Sequence, residues 1–160
     1  MVSMESEASQ IDSVPGLESH LGFWLRRVSN AVSAGFSRAL GEQQTSVAEW
    51  VVLRELYSRG EAAPAELADA LGLTRGAVSK IVDKLEAKKW IRVEANRADG
   101  RFRLLSVTQA GKRNLPVLAE LADQNEAQFF DCLTENEREV LLQVLVKLAQ
   151  QNQIRDVPTE

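Results

Sequence analysis

PAELADALGLTRGAVSKIVD, residues 64–83, reads as two short helices joined by a tight corner. Leu67, Ala68 and Leu71 recur at helical spacing, and Gly72 is free to take the left-handed conformation that turns a chain out of a helix. Leu73 can plug the corner, Thr74 can cap the next helix, and Val78, Ile81, Val82 and Leu85 form its inward stripe. The opposite face carries Thr74, Arg75, Gly76, Ala77, Ser79, Lys80 and Lys84. These small or cationic side chains allow close approach to a duplex and offer donors to bases and phosphates. The pattern is a helix–turn–helix whose second helix reads double-stranded DNA; two ordinary packed helices are the plainer alternative.

The residues downstream favour DNA. Trp90–Val93 and Phe102–Val107 have strand composition, and Asn96–Gly100 between them is made of turn formers, which predicts a β-hairpin. Arg97, Asp99, Arg101 and Arg103 make the hairpin tip cationic, placed to reach backbone or minor groove beside the reading helix. A solvated loop would also account for those arginines. Helix–turn–helix plus basic hairpin is a winged helix, so the expected fold is mainly α with a small β-hairpin.

Charge is distributed accordingly. The chain has 19 Lys and Arg against 23 Asp and Glu, net −4, which argues against a general nucleic-acid coater. From Thr74 to Arg103 the balance reverses, with nine basic residues against four acidic ones. One cationic face on an acidic body suits docking on phosphates in a fixed orientation. No long basic amphipathic stretch is present to favour an acidic membrane surface.

At 160 residues and 44% hydrophobic content the chain can bury one sizeable core with extensions. It has no long apolar run, and its acidic start lacks the pattern of a signal peptide, so a cytoplasmic protein is expected. Single copies of cysteine (Cys132) and histidine (His20) leave no disulfide framework and no cluster for a metal. No cofactor cradle or nucleophile–base pair can be assembled, which speaks against an enzyme.

Helical segments flank the winged helix. Residues 1–18 are expected to be a flexible leader and 19–46 a first helix, from about Ser19 to Leu40, closed by Gly41. Residues 47–107 would be the DNA-binding domain, opening on a helix capped by Ser46 with Glu49 completing a capping box. Residues 108–153 would hold two more helices, the first from Thr108 across Pro116 to about Asp131. The second would be capped by Thr134 and Glu137, and 154–160 would be a tail. Leu21, Trp24, Leu118, Phe129, Leu141 and Leu145 are part of an apolar surplus that a small winged helix cannot cover. The N- and C-terminal helices are therefore expected to form a dimerisation region, giving a homodimer; a helical cap on its own chain is the alternative.

The chain resembles the multiple-antibiotic-resistance regulator (MarR) family of winged-helix transcription factors. The resemblance runs from Leu21 to Ala149 and rests on LADALGLTRGAVSKIVDKLEAKKWI, the wing segment RADGRFRLLSVTQAG and LTENEREVLLQVLVKL. Asp99-Gly100-Arg101 matches the family's Asp-x-Arg, and Val107-Thr108-Gln109-Ala110-Gly111 its apolar-Thr-x-x-Gly. The resemblance implies a homodimeric repressor, less often an activator, on an imperfect palindrome. It also implies release by a small aromatic or phenolic effector or by cysteine oxidation. Peroxide-sensing members carry their cysteine where Leu21-Gly22-Phe23 stands here, so that chemistry is not expected. Cys132, among Phe129, Phe130 and Leu133, reads as a buried and inert thiol.

His20, Trp24, Arg27 and Trp50 lie on the helices that face the family's effector gap and could hold an aromatic anion by stacking and charge. Core packing would equally explain both tryptophans, and surface placement His20 and Arg27. An architectural DNA binder without effector remains the second functional class.

Overall fold

The structure is a computed structural model that describes residues 14–95 and 103–159. The chain divides into two compact units, Met1–Ala34 and Gly35–Glu160. Among the described residues there are six α-helices and a three-stranded antiparallel sheet.

In the first unit, a 3-10 turn at Leu17–Ser19 precedes helix α1 (Leu21–Glu42), which continues into the second unit. The Trp24 indole N–H donates to the Glu18 carbonyl at 2.9 Å, Phe23 meets its ring edge-on at 5.4 Å, and Arg27 lies over it at 5.5 Å. Trp24 is nevertheless 44% exposed, with Leu21, Leu25 and Val28 exposed beside it.

The second unit is built by helices α2 (Val47–Arg59), α3 (Pro64–Leu71), α4 (Arg75–Ala87), α5 (Gln109–Phe130) and α6 (Glu135–Gln151). Strands β1 (Glu61–Ala62), β2 (Ile91–Ala95) and β3 (Arg103–Val107) are arranged in the order β1-β3-β2. Leu40, Val52, Leu53, Leu56, Leu67, Val78, Leu85, Leu105 and Leu118 are fully buried and form the core shared by the helices and the sheet. Each such side chain removed from water contributes about 1.5–3 kcal/mol, which is why the apolar stripe of α4 fixes its pose.

Several expectations need correction. The hairpin is part of a three-stranded sheet, because Glu61 and Ala62 pair with Ser106 and Leu105. α1 starts at Leu21 rather than Ser19, and Gly41 does not close it. The helix runs on to Glu42, and Gln44 takes the left-handed position (φ 52°) while the Thr45 N–H returns to the Leu40 carbonyl. Cys132 is exposed, not buried. It stands past the end of α5, where the chain turns before the Thr134 cap, so its side chain leaves the packed face.

Two glycines mark close contacts. A β-carbon on Gly35 would stand 2.6 Å from Asn125 Oδ1 and 3.1 Å from Phe129, where the second half of α1 meets α5. One on Gly111 would collide with the Trp90 carbonyl. The Thr-x-x-Gly pattern is thereby explained. Thr108 accepts from the Gly111 N–H at 3.1 Å, and its hydroxyl reaches the Lys89 carbonyl at 2.7 Å. Together they seat α5 against the turn between α4 and β2.

Candidate nucleic-acid interface

The corner forms as its residues dictate. Gly72 is left-handed (φ 66°, ψ 23°), its N–H and that of Leu73 both return to the Ala68 carbonyl, and Leu73 packs on the core. Thr74 caps α4 by accepting from the Ala77 N–H at 3.1 Å. Val78, Ile81, Val82 and Leu85 are buried, which turns the other side of α4 outward. Thr74, Arg75, Gly76, Ser79, Lys80 and Lys84 are exposed and Ala77 is half-buried. The residues expected to read DNA therefore share one solvent-facing surface, with Arg75 on the first turn and the two lysines further along.

On the wing, Arg103 opens β3 and is exposed; Arg97, Asp99 and Arg101 lie outside the described residues. The base of the wing is a regular ladder pairing Ile91 with Val107 through Ala95 with Arg103. Arg92 Nε donates to Ser106 Oγ at 2.9 Å and lies 3.5 Å from the Glu94 carboxylate, so this cation is engaged within the sheet.

A second engaged cation escaped the sequence reading. Lys88 Nζ donates to the Gln44 carbonyl at 2.6 Å, pairs with Glu49 Oε1 at 2.7 Å and lies 4.9 Å from the centre of the Trp90 ring. Glu49 is only 4% exposed, and its other oxygen accepts from the Ser46 N–H at 2.8 Å. The start of α2 and the end of α4 are thus bolted together. Burial alone would raise the Glu49 carboxyl, but hydrogen bonds from Lys88 and from the Ser46 backbone and hydroxyl override it and hold it below 4.5. A lowered folded pKa contributes stability above the unfolded value that is lost as pH falls through the folded one. Glu49→Gln should therefore cost about 1–3 kcal/mol at neutral pH. In urea titrations the gap from wild type should narrow as pH falls below the ordinary glutamate range, about 4.3, and close once Glu49 is protonated in the folded protein. A gap that persisted unchanged in acid would show that the charge is not what matters.

Of the residues expected to hold an effector, His20 and Arg27 are exposed and Trp24 half-exposed, all in the first unit. Trp50, in the second, lines a cleft of about 230 Å³ with Arg54, Tyr57, Lys112, Leu115, Pro116 and Ala119. An adjoining cleft of about 270 Å³ shares Tyr57 and Lys112 and adds Arg92 and Ser106. The first offers two rings and two cations with no acid among its lining residues. Sequence reasoning found Trp50 but not Arg54, Tyr57 or Lys112, which meet only when α2 packs on α5. Among the described residues no group of acidic, cysteine or histidine side chains could hold a metal ion, and no helix is long and apolar enough to cross a membrane.

Fold and surface together define a winged helix–turn–helix DNA-binding protein. Residues 43–101 match the model of the MarR family. The HTH-type transcriptional regulator YpoP of Bacillus subtilis is 27% identical over 124 residues, 78% of this chain and 87% of that protein. Two solved structures are similar in fold. One, from work on regulation of DNA binding of Bordetella bronchiseptica BpsR by 6-hydroxynicotinic acid, has a TM-score of 0.73 and 23% identity, covering 86% of this chain and 98% of that one. The other, a cysteine-to-serine mutant of Escherichia coli MarR complexed with operator DNA, has a TM-score of 0.71 and 23% identity, covering 80% and 92%. Over its helix–turn–helix segment the chain is similar to the MarR family, and over most of its length to HTH-type transcriptional regulators.

Proposed function

We propose that this regulator is a cytoplasmic homodimeric repressor that occupies a palindromic operator and is released by a small aromatic or phenolic acid. The observation that carries the DNA half is the outward face of α4. Arg75, Ser79, Lys80 and Lys84 stand exposed on a helix whose other side is locked into the core. Arg75 would read a base edge, the lysines would neutralise phosphates, and Arg97, Asp99, Arg101 and Arg103 of the wing would reach the neighbouring groove.

Dimerisation is supported by α6. It has no buried residue, yet Val140, Leu141, Val144, Leu145 and Leu148 are each between 37% and 50% exposed. A helix this apolar is covered in a stable soluble protein, and a two-fold mate would cover it while placing two reading helices on one side of the duplex. The proposed division keeps a DNA-binding domain at 47–107 between dimerisation segments at 19–46 and 108–153.

The effector reading rests on the Trp50 cleft. Its rings and the cations Arg54 and Lys112 suit an aromatic carboxylate, and BpsR responds to one such acid, 6-hydroxynicotinic acid. His20, Trp24 and Arg27 of the first unit are kept as further proposed effector contacts. α2, which carries Trp50, also carries Glu49, the partner of Lys88 at the end of the reading helix. A ligand pressing on α2 would thus act on the helix that reads DNA.

The test is footprinting on DNA upstream of the protein's own gene, with 6-hydroxynicotinic acid as the probe effector. Protection of inverted half-sites centred about 10 base pairs apart, or a multiple, is expected, with release on adding the acid. Binding no tighter than to random duplex would overturn the repressor reading, and protection unaffected by the acid would overturn its release by this class of ligand.

A further inference from the structure

The chain beyond α6 returns to the helix–turn–helix. α6 ends at Gln151, and Gln153, two residues on, is left-handed at φ 55°. The Ile154 N–H bonds back to the Ala149 carbonyl at 2.9 Å and the Gln153 N–H to Gln150 at 3.2 Å. These two bonds close the helix and aim the chain that leaves it. Residues 154–159 then run without helix or strand to the corner between α3 and α4.

Asp156 lies directly against Gly72 there. Its Oδ1 is 2.8 Å and its Cα 3.4 Å from where a β-carbon on Gly72 would stand. Val157 is half-buried and packs on the hydrophobic core, with its N–H 3.5 Å from the carbonyl of Leu71, the last residue of α3. Three adjacent features therefore meet in one place: an apolar anchor, a backbone donor facing a helix-terminal carbonyl, and a close contact of Asp156 with the left-handed Gly72.

We propose that residues 154–159 are a strap that fastens the end of α6 to the helix–turn–helix corner and holds the reading helix in its set position. The corner leads straight into the Thr74 cap and Arg75, so what steadies Leu71 and Gly72 steadies the first turn of α4. Undocking the strap lets the corner open locally, and binding DNA must then restore an order that the docked protein already has. The strap also gives α6 a mechanical link to the reading helix that does not pass through the wing. The DNA part of this inference rests on the function proposed above; the contact itself does not.

The experiment compares three otherwise intact proteins: wild type, Val157→Asp, and a variant lacking residues 154–160. Hydrogen exchange in the absence of DNA reads the Gly72 and Leu73 amides, sedimentation velocity reads assembly, and a mobility shift reads operator affinity. Both variants should exchange these amides about tenfold faster at unchanged sedimentation. Operator affinity should fall about fivefold. Unchanged exchange in both variants overturns the strap. Faster exchange with undiminished operator affinity overturns its part in holding the reading helix.

Discussion

Leu145→Glu should convert the protein to a monomer and remove operator binding. Leu145 lies in the middle of the uncovered apolar stripe of α6, one turn from Leu141 and Leu148. In a two-fold dimer the substitution acts twice, because each copy presents the same face. Each copy loses the burial of the part of Leu145 still exposed in the single chain and gains a carboxylate facing apolar neighbours, a larger penalty than the loss itself. A single winged helix then reads half a site and neutralises half the phosphates. Affinity should drop toward the nonspecific level, on the order of 10³-fold or more. Sedimentation velocity beside a mobility-shift titration checks both parts. Since no residue of α6 is fully buried within its own chain, the monomer should keep its helical circular dichroism. A mutant that remains dimeric and binds normally would remove α6 from the interface.

Arg75→Ala has the second largest expected effect. Arg75 occupies the first turn of α4, exposed beside the Thr74 cap, where its guanidinium can form two parallel hydrogen bonds to a guanine edge. Losing that pair should cost about 1–3 kcal/mol on the operator and relax specificity at one base pair in each half-site. Lys80→Ala should instead weaken operator and random duplex alike and lower the salt dependence, because a phosphate contact carries no sequence. Equal losses on both duplexes for Arg75→Ala would assign it to phosphate rather than base.

The parts legible in the sequence were those written in short-range spacing. The Gly72 corner, the Thr74 cap, the Val78-Ile81-Val82-Leu85 stripe and both capping boxes depend on residues within four or five of each other. Each has a local physical signature, and the structure reproduces them. β1 was not legible, because Glu61-Ala62 has no strand character of its own and becomes a strand only by lying against β3. The Lys88–Glu49 pair joins residues far apart in the chain, so Lys88 counted only as one more positive charge. Cys132 was misjudged from its apolar sequence neighbours: Phe129 and Phe130 precede it on α5, but the turn after the helix carries the thiol outward. Gln44 carries no local signal for the left-handed position it takes, because glycine is the usual occupant of such a helix end and Gly41 stands nearby.

The three-stranded sheet also bears on solubility. An open sheet edge exposes unpaired backbone donors and acceptors, and two molecules can add strands to one another there. For a protein that pairs through a two-fold face, as proposed above, a second, heterologous contact of this kind would link dimers into open chains. Both edges here are poor templates. β1 is only two residues long, and β2 carries the exposed, oppositely charged Arg92 and Glu94. By capping β3 with so short a strand, the linker between α2 and α3 leaves β3 without a free edge along Leu105–Ser106 while offering almost none of its own. Among the described residues the sheet thus offers a second molecule little uncharged backbone to pair with.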